Sequence, residues 1–235
     1  MIHNFAVISN DDLVEKEFGD TYRFVRKYTG ATHERLYALF KSVEYVVKNN
    51  IEGDFVECGV ANGGCVMIIA KTLVDMGVTD RKIYLYDTFE GMPKPSAHDY
   101  TWGSSPEKMM QRWFKKTDSE GKTNWVRFTL DEVKANMKLT GYPEENLVFV
   151  KGMVEETIPG TIPEKISLLR LDTDFYESTK HKLEHLYPRV SKGGVLLLDD
   201  YGTWMGEKKA ADDYFKDNPI LLNRVDRDGR VGVKF

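Results

Sequence analysis

Two clusters of carboxylates follow two short apolar runs in the C-terminal half of the chain. The segment Asp172–Asp174 (DTD) comes directly after Ser167–Leu171 (SLLRL). The pair Asp199 and Asp200 comes directly after the run VLLL at 195–198. Continuous apolar runs of this length are typical of strands buried in a parallel sheet, whose ends open onto the ligand crevice of a doubly wound fold. The sequence therefore predicts four acids at one edge of one sheet.

These four acids need a neutralising partner. Like charges at short range raise one another's pKa and oppose folding. A hard divalent cation such as Mg2+ prefers oxygen ligands and is the natural partner. The alternative is that the acids cap the next helix or open a turn before Gly202. Capping explains one acid at each strand end and not two, so the pattern favours a functional carboxylate site.

The bulk properties restrict the class of protein. The 235 residues suffice for a substantial core, and no apolar run approaches the roughly 20 residues that span a bilayer. A net charge of -4 offers no footprint for nucleic acid. The first residues lack an export signal, so a cytoplasmic location without membrane partners is expected. Cys58 and Cys65 are too few for a disulfide framework and lack zinc-site spacing, so both are interpreted as buried apolar residues.

The order of predicted elements indicates an α/β fold. Apolar residues at helical spacing between Leu36 and Val47, after the capping residue Thr32, predict a helix, and residues 1–50 are expected to form a helical cap. From residue 51 the pattern alternates strand and helix, as expected for an α/β domain at 51–235. Strands are predicted at 55–58, 82–86, 147–150, 167–171, 195–198, 220–225 and 231–235, and helices at 65–76, 176–190 and 207–216. The short link DRDGR permits only antiparallel pairing of the last two strands.

An insertion at about 90–145 is longer than a single crossover requires. We expect it to select the acceptor substrate. Its aromatic residues could stack on a sugar ring, and four basic residues could meet a diphosphate: Lys108, Arg112, Lys115 and Lys116. The alternative is a lid helix with solvated charges that turns four side chains inward: Met109, Met110, Trp113 and Phe114. The sequence leaves both open.

A glycine-rich turn follows the first predicted strand. The segment Glu57–Gly64 (ECGVANGG) opens the next helix, where small residues let a ligand approach the backbone. Asp87 ends the second strand, where an acid can accept hydrogen bonds from ribose hydroxyls. These features fit any adenosine-containing cofactor. A charged Glu57 would repel the pyrophosphate of NAD and suit the ammonium of S-adenosylmethionine, so the sulfonium cofactor is favoured.

Two further patterns point to other chemistry. Tyr176 and Lys180 match the Tyr-x-x-x-Lys pair of short-chain dehydrogenases, which keeps an NAD(P)-dependent oxidoreductase as a distant alternative. The serine that these enzymes place about a dozen residues earlier is missing, so a surface pair on a helix is favoured.

His181 and His185 could form half of a zinc site, but no third ligand has suitable spacing, so surface histidines are favoured.

The chain resembles the macrocin O-methyltransferase family, the metal-dependent sugar methyltransferases of macrolide and aminocoumarin antibiotic pathways. The resemblance runs from about residue 28 to residue 214. Five segments carry it: YTGATHER (28–35), NNIEGDFVECGVANGG (49–64), DTFEGMP (87–93), FVKGMVEETIP (149–159) and LLRLDTDFYESTKHKLEHLY (168–187).

The resemblance implies a class I S-adenosylmethionine-dependent methyltransferase (Rossmann-like) fold with a seven-stranded, mostly parallel sheet and an antiparallel terminal strand pair. It implies that Asp172, Asp199 and Asp200 hold Mg2+ and that Asp174 is the general base. The implied contacts of S-adenosylmethionine are Glu57, Gly59, Gly63, Asp87, Thr88 and Gly152. Family members commonly have Arg-Gly-Gly where this chain has Asn62-Gly63-Gly64.

The implied activity is methyl transfer to a sugar hydroxyl of a glycosylated natural product, a polysaccharide precursor or a nucleotide sugar. A catechol-type or other small-molecule methyltransferase is the nearer alternative. Catechol-type enzymes use a lysine base soon after the first metal-binding acid, where this chain has Asp174 and Phe175. The sequence leaves open the acceptor and whether the chain forms a homo-oligomer.

Overall fold

A single seven-stranded sheet organises the chain. The computed structural model describes residues 15–235. The strands are β1 (Asp54–Cys58), β2 (Ile83–Asp87), β3 (Leu147–Lys151), β4 (Ile166–Leu171), β5 (Val190–Leu198), β6 (Asn223–Arg224) and β7 (Arg230–Val233). Their order is β3-β2-β1-β4-β5-β7-β6, with β1 to β5 parallel and β7 antiparallel to both β5 and β6. The predicted fold class is confirmed.

Helices cover both faces of this sheet. The helices are α1 (Lys16–Val25), α2 (His33–Lys48), α3 (Gly64–Asp75), α4 (Pro106–Lys116), α5 (Leu130–Lys138), α6 (Val154–Thr157), α7 (Tyr176–His185) and α8 (Met205–Tyr214). The predicted cap Thr32 accepts a hydrogen bond from the backbone N–H of Arg35 and starts α2. Residues 1–14 of the predicted helical cap lie outside the described residues. Across the part that is described, no helix has both the length and the apolar character needed to cross a bilayer.

The apolar side chains divide into three clusters. One face of the sheet packs on α1, α2, α3 and α5, and the other face packs on α7 and α8. Both cysteines are buried and unoxidised, as predicted, with Cys58 under one face and Cys65 under the other. A third, smaller cluster lies outside the sheet and joins the insertion to the loops after β4 and β5. That third cluster becomes one wall of the candidate site.

Two element boundaries differ from the prediction for identifiable reasons. The helix predicted at 176–190 ends at His185 and is followed by a short 3-10 turn at Tyr187–Arg189. Pro188 has no N–H to donate and disfavours helical geometry at the preceding residue, so the helix cannot continue. The strand predicted at 195–198 begins earlier, at Val190, because Gly193 has a φ of 83° and the strand continues through an irregularity in its register with β4.

The closing hairpin has the predicted antiparallel pairing but a shorter first strand. Only Asn223 and Arg224 pair with β7, whereas 220–225 was predicted. Ile220 and Leu222 still pack against the core. Their side chains therefore have the strand-like pattern that the sequence shows, although their backbone groups do not join the ladder.

The strand order reverses between β1 and β4, which is the position where open α/β sheets bind ligands. There the loop after β1 approaches the loop after β4 closely. The backbone N–H of Asp172 donates to the carbonyl of Cys58, at 2.8 Å. Gly59 has a φ of 89°, and a Cβ at this position would lie 1.7 Å from the backbone oxygen of Asp172. Only glycine fits this crossing.

Gly59→Ala should therefore destabilise the fold far more than an alanine at another left-handed glycine. The variant combines a forbidden contact with an unfavourable φ, and we expect a loss of about 3 kcal/mol or more in the free energy of unfolding. Gly77→Ala is the matched control, because Gly77 has a φ of 72° and no atom within 4 Å of its ideal Cβ. We expect it to cost about 1 kcal/mol. Urea unfolding measures both, and equal losses would contradict the close approach.

Candidate active site

A cavity of about 430 Å³ opens at the carboxyl ends of β1, β2 and β4. Its floor includes the turn after β1, with Gly59 and Ala61, and the end of β2, with Asp87 and Thr88. Gly152, from the loop after β3, lines the same cavity. The structure therefore brings together most of the residues that the sequence assigns to the cofactor. Gly63 is not in this lining; it has a φ of 90° and caps α3.

Three carboxylates meet at the border of this cavity. One oxygen from each of Asp172, Asp174 and Asp200 lies within 4.8 Å of the other two. Asp172 and Asp174 follow β4 and Asp200 follows β5, so adjacent parallel strands deliver them to one place, as the sequence predicts. Within residues 15–235 this is the one cluster of acids, histidines or cysteines with the geometry to hold a metal ion.

The surroundings of this cluster raise the pKa values of Asp174 and Asp200. Desolvation, followed by the charge of Asp172, raises the pKa of Asp174 to about 6. Desolvation and the charge of Asp174 raise the pKa of Asp200 well above its ordinary value. A hydrogen bond between the two carboxyls raises the pKa of Asp200 and lowers that of Asp174. The cluster holds more negative charge than its surroundings compensate.

Asp199 does not join this cluster, although the sequence predicts it as a metal ligand. Its Oδ1 accepts a hydrogen bond from Arg170 Nη2 at 2.5 Å, and its Oδ2 pairs with Arg35. Arg35 lies on α2 and also donates to Asp226, at 3.0 Å, so it connects the N-terminal helices to the loop between β6 and β7. Conversely Asp174, predicted as a base next to the metal, lies inside the cluster.

Arg170 is buried near the carboxyl end of β4 and joins three acids. Its guanidinium pairs with Glu57, with Asp172 Oδ2 at 2.8 Å and with Asp199. One guanidinium cannot compensate three carboxylates fully. Burial accordingly outweighs the ion pair at Glu57 and raises the pKa of this side chain to about 8.

Glu57, the predicted partner of the cofactor's ammonium, borders a second cavity of about 480 Å³. Tyr28 and Thr29, which precede α2, cover part of this cavity, and Asp172 and Asp200 line it as well. Glu57 is fully buried, and its Oε2 has no hydrogen-bond partner among the described residues. A buried carboxylate oxygen without a hydrogen-bond partner costs free energy, so a ligand that donates a hydrogen bond to Oε2 would be favoured.

Asp87 has a structural role besides any contact with a ligand. Its Oδ2 accepts from the backbone N–H groups of Val60 and Ala61, at 2.7 and 3.1 Å, and its Oδ1 accepts from Phe89, at 2.7 Å. The carboxylate therefore shapes the turn after β1. Its predicted contact with ribose hydroxyls remains a prediction, as does that of Thr88, whose Oγ1 donates to the carbonyl of Gly91.

The backbone around the main cavity is strained. Ala61, Val126 and Asp174 line it with φ angles of 47°, 50° and 62°. Left-handed conformations are unfavourable for such residues, especially for a β-branched valine, and persist only where the surroundings impose them. Their concentration at one cavity is typical of a functional site.

The insertion and the loops after β4 and β5 together supply an aromatic wall of the cavity. Trp125 and Trp204 lie with ring centroids 6.1 Å apart, and Phe175 meets Trp204 edge to face at 5.4 Å. Helix α4 contributes Met109, which is buried, whereas Phe114 is 58% exposed and does not turn inward as one prediction proposed. Of the four basic residues singled out in the sequence, only Arg112 lines the cavity.

Two buried ionisable side chains, Lys182 and Glu207, contact the loops that carry the acid cluster. The Lys182 ammonium donates to Thr173 Oγ1, and burial lowers its pKa. Glu207 accepts the backbone N–H of Asp200 at 2.9 Å, and burial raises its pKa well above the ordinary value. Both side chains are fully buried. They hold the loops that present Asp174 and Asp200.

The alternative motifs lie away from this chemistry. The Tyr176 hydroxyl donates to Asp213 at 3.0 Å, and Lys180 is exposed, as expected for a surface pair. His181 Nε2 contacts the carbonyl of Ile158 and His185 Nδ1 that of His181, both at 2.9 Å. Neither pattern contributes to a cavity with the acid cluster.

Sequence reasoning missed several residues of the site. A detectable signal existed for Arg170, because a charge inside an otherwise apolar strand needs a buried partner. Arg35, Lys182 and Glu207 lie on amphipathic helices, where charged residues are usually solvated, so no local pattern distinguishes them. Trp204 follows the second acid pair by four residues and has no distinctive spacing.

Comparison with known proteins agrees with this arrangement. A family model described as macrocin O-methyltransferase (TylF) matches residues 11–231. The chain is 33% identical over 168 residues to 8-demethyl-8-(2,3-dimethoxy-alpha-L-rhamnosyl)-tetracenomycin-C 4'-O-methyltransferase of Streptomyces olivaceus, covering 72% of this chain and 60% of that relative. It is 31% identical over 198 residues to demethyldecarbamoylnovobiocin O-methyltransferase of Streptomyces niveus, covering 83% of this chain and 71% of the relative.

Solved structures support the fold independently. The structure of the O-methyltransferase NovP superposes with a TM-score of 0.77 at 31% identity, covering 88% of this chain and 82% of that chain. The calicheamicin methyltransferase CalS11 superposes with a TM-score of 0.61 at 18% identity, covering 97% of this chain and 95% of that one, and shares the fold.

The raised pKa of Glu57 predicts a specific pH dependence of stability. A carboxyl with a folded pKa near 8 and an ordinary unfolded value contributes stability that is fully present below the unfolded pKa. This contribution is lost as pH rises, by up to about 1.4 kcal/mol per pH unit until about pH 8. Glu57→Gln cannot titrate, so wild type should lose stability relative to this variant between pH 5.5 and pH 7.5.

Urea unfolding at the two pH values measures this difference. Glu52→Gln is the control, because Glu52 is exposed and pairs with Lys165 at the surface. It should track wild type over the same range. A Glu57→Gln variant that also tracks wild type would show that the carboxyl is ionised in the folded protein.

Proposed function

The chain belongs to the macrocin O-methyltransferase family, and we propose that it transfers the methyl group of S-adenosylmethionine to a sugar hydroxyl with the help of a divalent cation such as Mg2+. One observation carries the proposal: the Asp172, Asp174 and Asp200 carboxylates line the same cavity as the turn after β1 and Asp87. Relatives named for methylation of a rhamnosyl-tetracenomycin and of a novobiocin precursor support a sugar-bearing acceptor. The aligned region spans 60% and 71% of these relatives.

The residues at the cluster fit a divalent cation. The ionisable groups that interact here are six acids and three bases: Glu57, Asp172, Asp174, Asp199, Asp200 and Glu207, with Arg35, Arg170 and Lys182. One oxygen from each of Asp172, Asp174 and Asp200 lies within 4.8 Å of the other two, so a single cation can contact all three carboxylates. Carboxylate oxygens are the ligands that Mg2+ prefers.

We assign Asp172 and Asp200 to the cation, because the sequence pattern and the geometry agree on both. The sequence also assigns Asp199, which can serve only if its contact with Arg35 or Arg170 opens when the cation binds. Asp174 is assigned as the base. Its pKa of about 6 lies closer to a working pH than that of an ordinary aspartate, and proton transfer is most efficient in that range.

The chemistry explains why a base alone would not suffice. An aspartate of ordinary pKa about 3.9 and a hydroxyl comparable to water at about 15.7 differ by about 12 units, or about 16 kcal/mol. A bound cation would supply the missing acidity by lowering the pKa of a hydroxyl that it ligates. Asp174 then accepts the proton, while Trp125 and Trp204 hold the acceptor against the cluster.

The donor site follows from the two cavities. The unpaired Glu57 Oε2 suits the ammonium of S-adenosylmethionine, which would favour the ionised carboxylate, whereas a pyrophosphate would oppose it. Gly59 lines the main cavity at the turn after β1, and Asp87, Thr88 and Gly152 border the space for the adenosine. Gly63, at the start of α3, completes the turn.

Removal of the cation should abolish methyl transfer. Excess EDTA should reduce the rate to background, and added Mg2+ should restore it, because the hydroxyl is too weak an acid for Asp174 alone. Asp200→Asn should lose both activity and the response to Mg2+. Asp75→Asn, on the outer end of α3, is the matched control and should behave like wild type. Mass spectrometry of the methylated acceptor gives the readout, and full activity in EDTA would refute the role of the cation.

Asp174 and Asp199 should behave differently when each is changed to asparagine. Asp174→Asn should bind Mg2+ and S-adenosylhomocysteine with near wild-type affinity but lose turnover by about 10²- to 10⁴-fold. Asp199→Asn should lose Mg2+ binding as well as turnover. Calorimetric titration of Mg2+ into each variant separates the two outcomes. If Asp174→Asn loses the cation and Asp199→Asn keeps it, the cluster seen in the structure is the complete ligand set and the two roles are exchanged.

A further inference from the structure

Arg112 stands out in the main cavity because it is the one cation in a lining that contains five acids. The acids are Asp87, Glu155, Asp172, Asp174 and Asp200. The Arg112 guanidinium lies over the ring of Trp125, at 4.5 Å from the centroid. Among residues 15–235 it forms neither an ion pair nor a side-chain hydrogen bond. An arginine held against an aromatic ring with its donors unused is prepared to bind an anion.

A neighbouring cavity of about 580 Å³ adds further cationic side chains beside Arg112. It shares part of its border with the main cavity, including Thr88, Met92 and Gly152. Its cationic side chains are Lys122, Arg127 and Lys151. The two lysines pair with Glu120 and Glu90, both at 2.7 Å. Arg127 has no such partner within the described part of the chain, so two unpaired arginines border the joined cavities.

The segments that carry the two arginines are packed against the loop after β2. Trp125 is 6% exposed, and its carbonyl accepts the backbone N–H of Met92 at 3.0 Å. Trp113, next to Arg112 on α4, donates its Nε1–H to the carbonyl of Met92 at 3.2 Å. Gly91 leaves no room for a side chain, because a Cβ there would lie 2.9 Å from the carbonyl of Trp125. The segment that carries the arginines is therefore packed directly on the loop after β2.

We propose that the acceptor is a sugar linked to a phosphate or diphosphate, whose anionic group is bound by Arg112 and Arg127. The sugar ring then lies along Trp125 with its reacting hydroxyl at the acid cluster, and the phosphate extends into the neighbouring cavity. This inference rests on the proposed function and specifies its substrate class. Guanidinium groups bind phosphate oxygens in pairs of hydrogen bonds, and stacking on Trp125 reduces the entropy that Arg112 loses on binding.

The carboxylate of the donor is the other anion that enters the site. Its ammonium neighbour is assigned to Glu57, which borders the second cavity, and Arg112 and Arg127 do not line that cavity. The two arginines lie instead where the insertion meets the loop after β2. The geometry therefore favours the acceptor as the source of the anion.

The experiment measures binding of matched acceptors to the full chain with S-adenosylhomocysteine and Mg2+ present. For glucose and for rhamnose, three forms are compared by calorimetry: the methyl glycoside, the 1-phosphate and the nucleoside diphosphate sugar. We expect at least one phosphate-linked form to bind about 10- to 100-fold more tightly than its methyl glycoside, the range for hydrogen bonds to charged groups. The 1-phosphate and the diphosphate arms distinguish the two sources of the anion, and methyl glucuronide tests a carboxylate.

Three variants assign the effect to the arginines. Arg112→Gln and Arg127→Gln should each weaken binding of the phosphate-linked sugar about tenfold or more and leave S-adenosylhomocysteine affinity unchanged. Arg112→Lys should not restore binding fully, because an ammonium lacks the planar pair of donors. Lys115→Gln is the matched control: Lys115 is exposed on α4, lines neither cavity, and should have no effect.

The other possible results distinguish a failure of this inference from a failure of the proposed function. Equal or tighter binding of methyl glycosides, or of the glucuronide alone, would overturn the phosphate assignment and leave a sugar methyltransferase in place. Loss of S-adenosylhomocysteine affinity in Arg112→Gln would assign the guanidinium to the donor. Failure of the wild-type chain to bind any phosphate-linked form would also overturn the inference. Failure to bind S-adenosylhomocysteine at all would instead refute the proposed function.

Discussion

The buried guanidinium of Arg170 is the interaction on which the candidate site depends. It connects carboxylates from three neighbouring strand ends, Glu57, Asp172 and Asp199, at the position where the strand order reverses. A buried charge without partners would be far too costly, so Arg170 requires these acids beside it. Its guanidinium in turn holds the three carboxylates in place. One positive charge still leaves an excess of negative charge beside it. Burial, together with that excess, raises the pKa values of Asp174 and Asp200 at the cavity, and a divalent cation would stabilise their ionised forms.

The two sides of the main cavity have different origins, and this separates chemistry from substrate choice. The acids and the turn after β1 belong to the ends of the central strands, whose register is set by a continuous ladder of hydrogen bonds. The opposite wall, with Trp125 and Arg112, comes from the insertion. The insertion is attached at a few specific points, such as Asp99, whose carboxylate accepts the backbone N–H of Tyr176 at the start of α7. If the insertion selects the acceptor, as we propose, a change in it would alter the acceptor without disturbing the strand ends.

Most of the fold could be predicted from the sequence because its signals are local and repeated. Apolar runs of strand length, alternating with helical spacing, account for all seven strands and for the antiparallel closing hairpin. The errors fall where one residue overrides the pattern. Pro188 ends a helix that the apolar spacing would extend, and Gly193 lets β5 continue through what resembles a turn. Ile220 and Leu222 show the spacing of a strand but no backbone pairing, because burial and pairing are separate requirements.

The sequence by itself determined which acids lie at the carboxyl edge of the sheet. These acids directly follow apolar runs that can be recognised as buried parallel strands without knowledge of the rest of the fold. The sequence also determined the glycine turn that lets the two central loops cross at Gly59. Only the tertiary structure decided how these acids divide, with Asp174 joining the cluster and Asp199 turning to two arginines. It alone placed Arg112 over Trp125. Such pairings form between side chains distant in sequence, and their charge and packing depend on three-dimensional distances that no local pattern records.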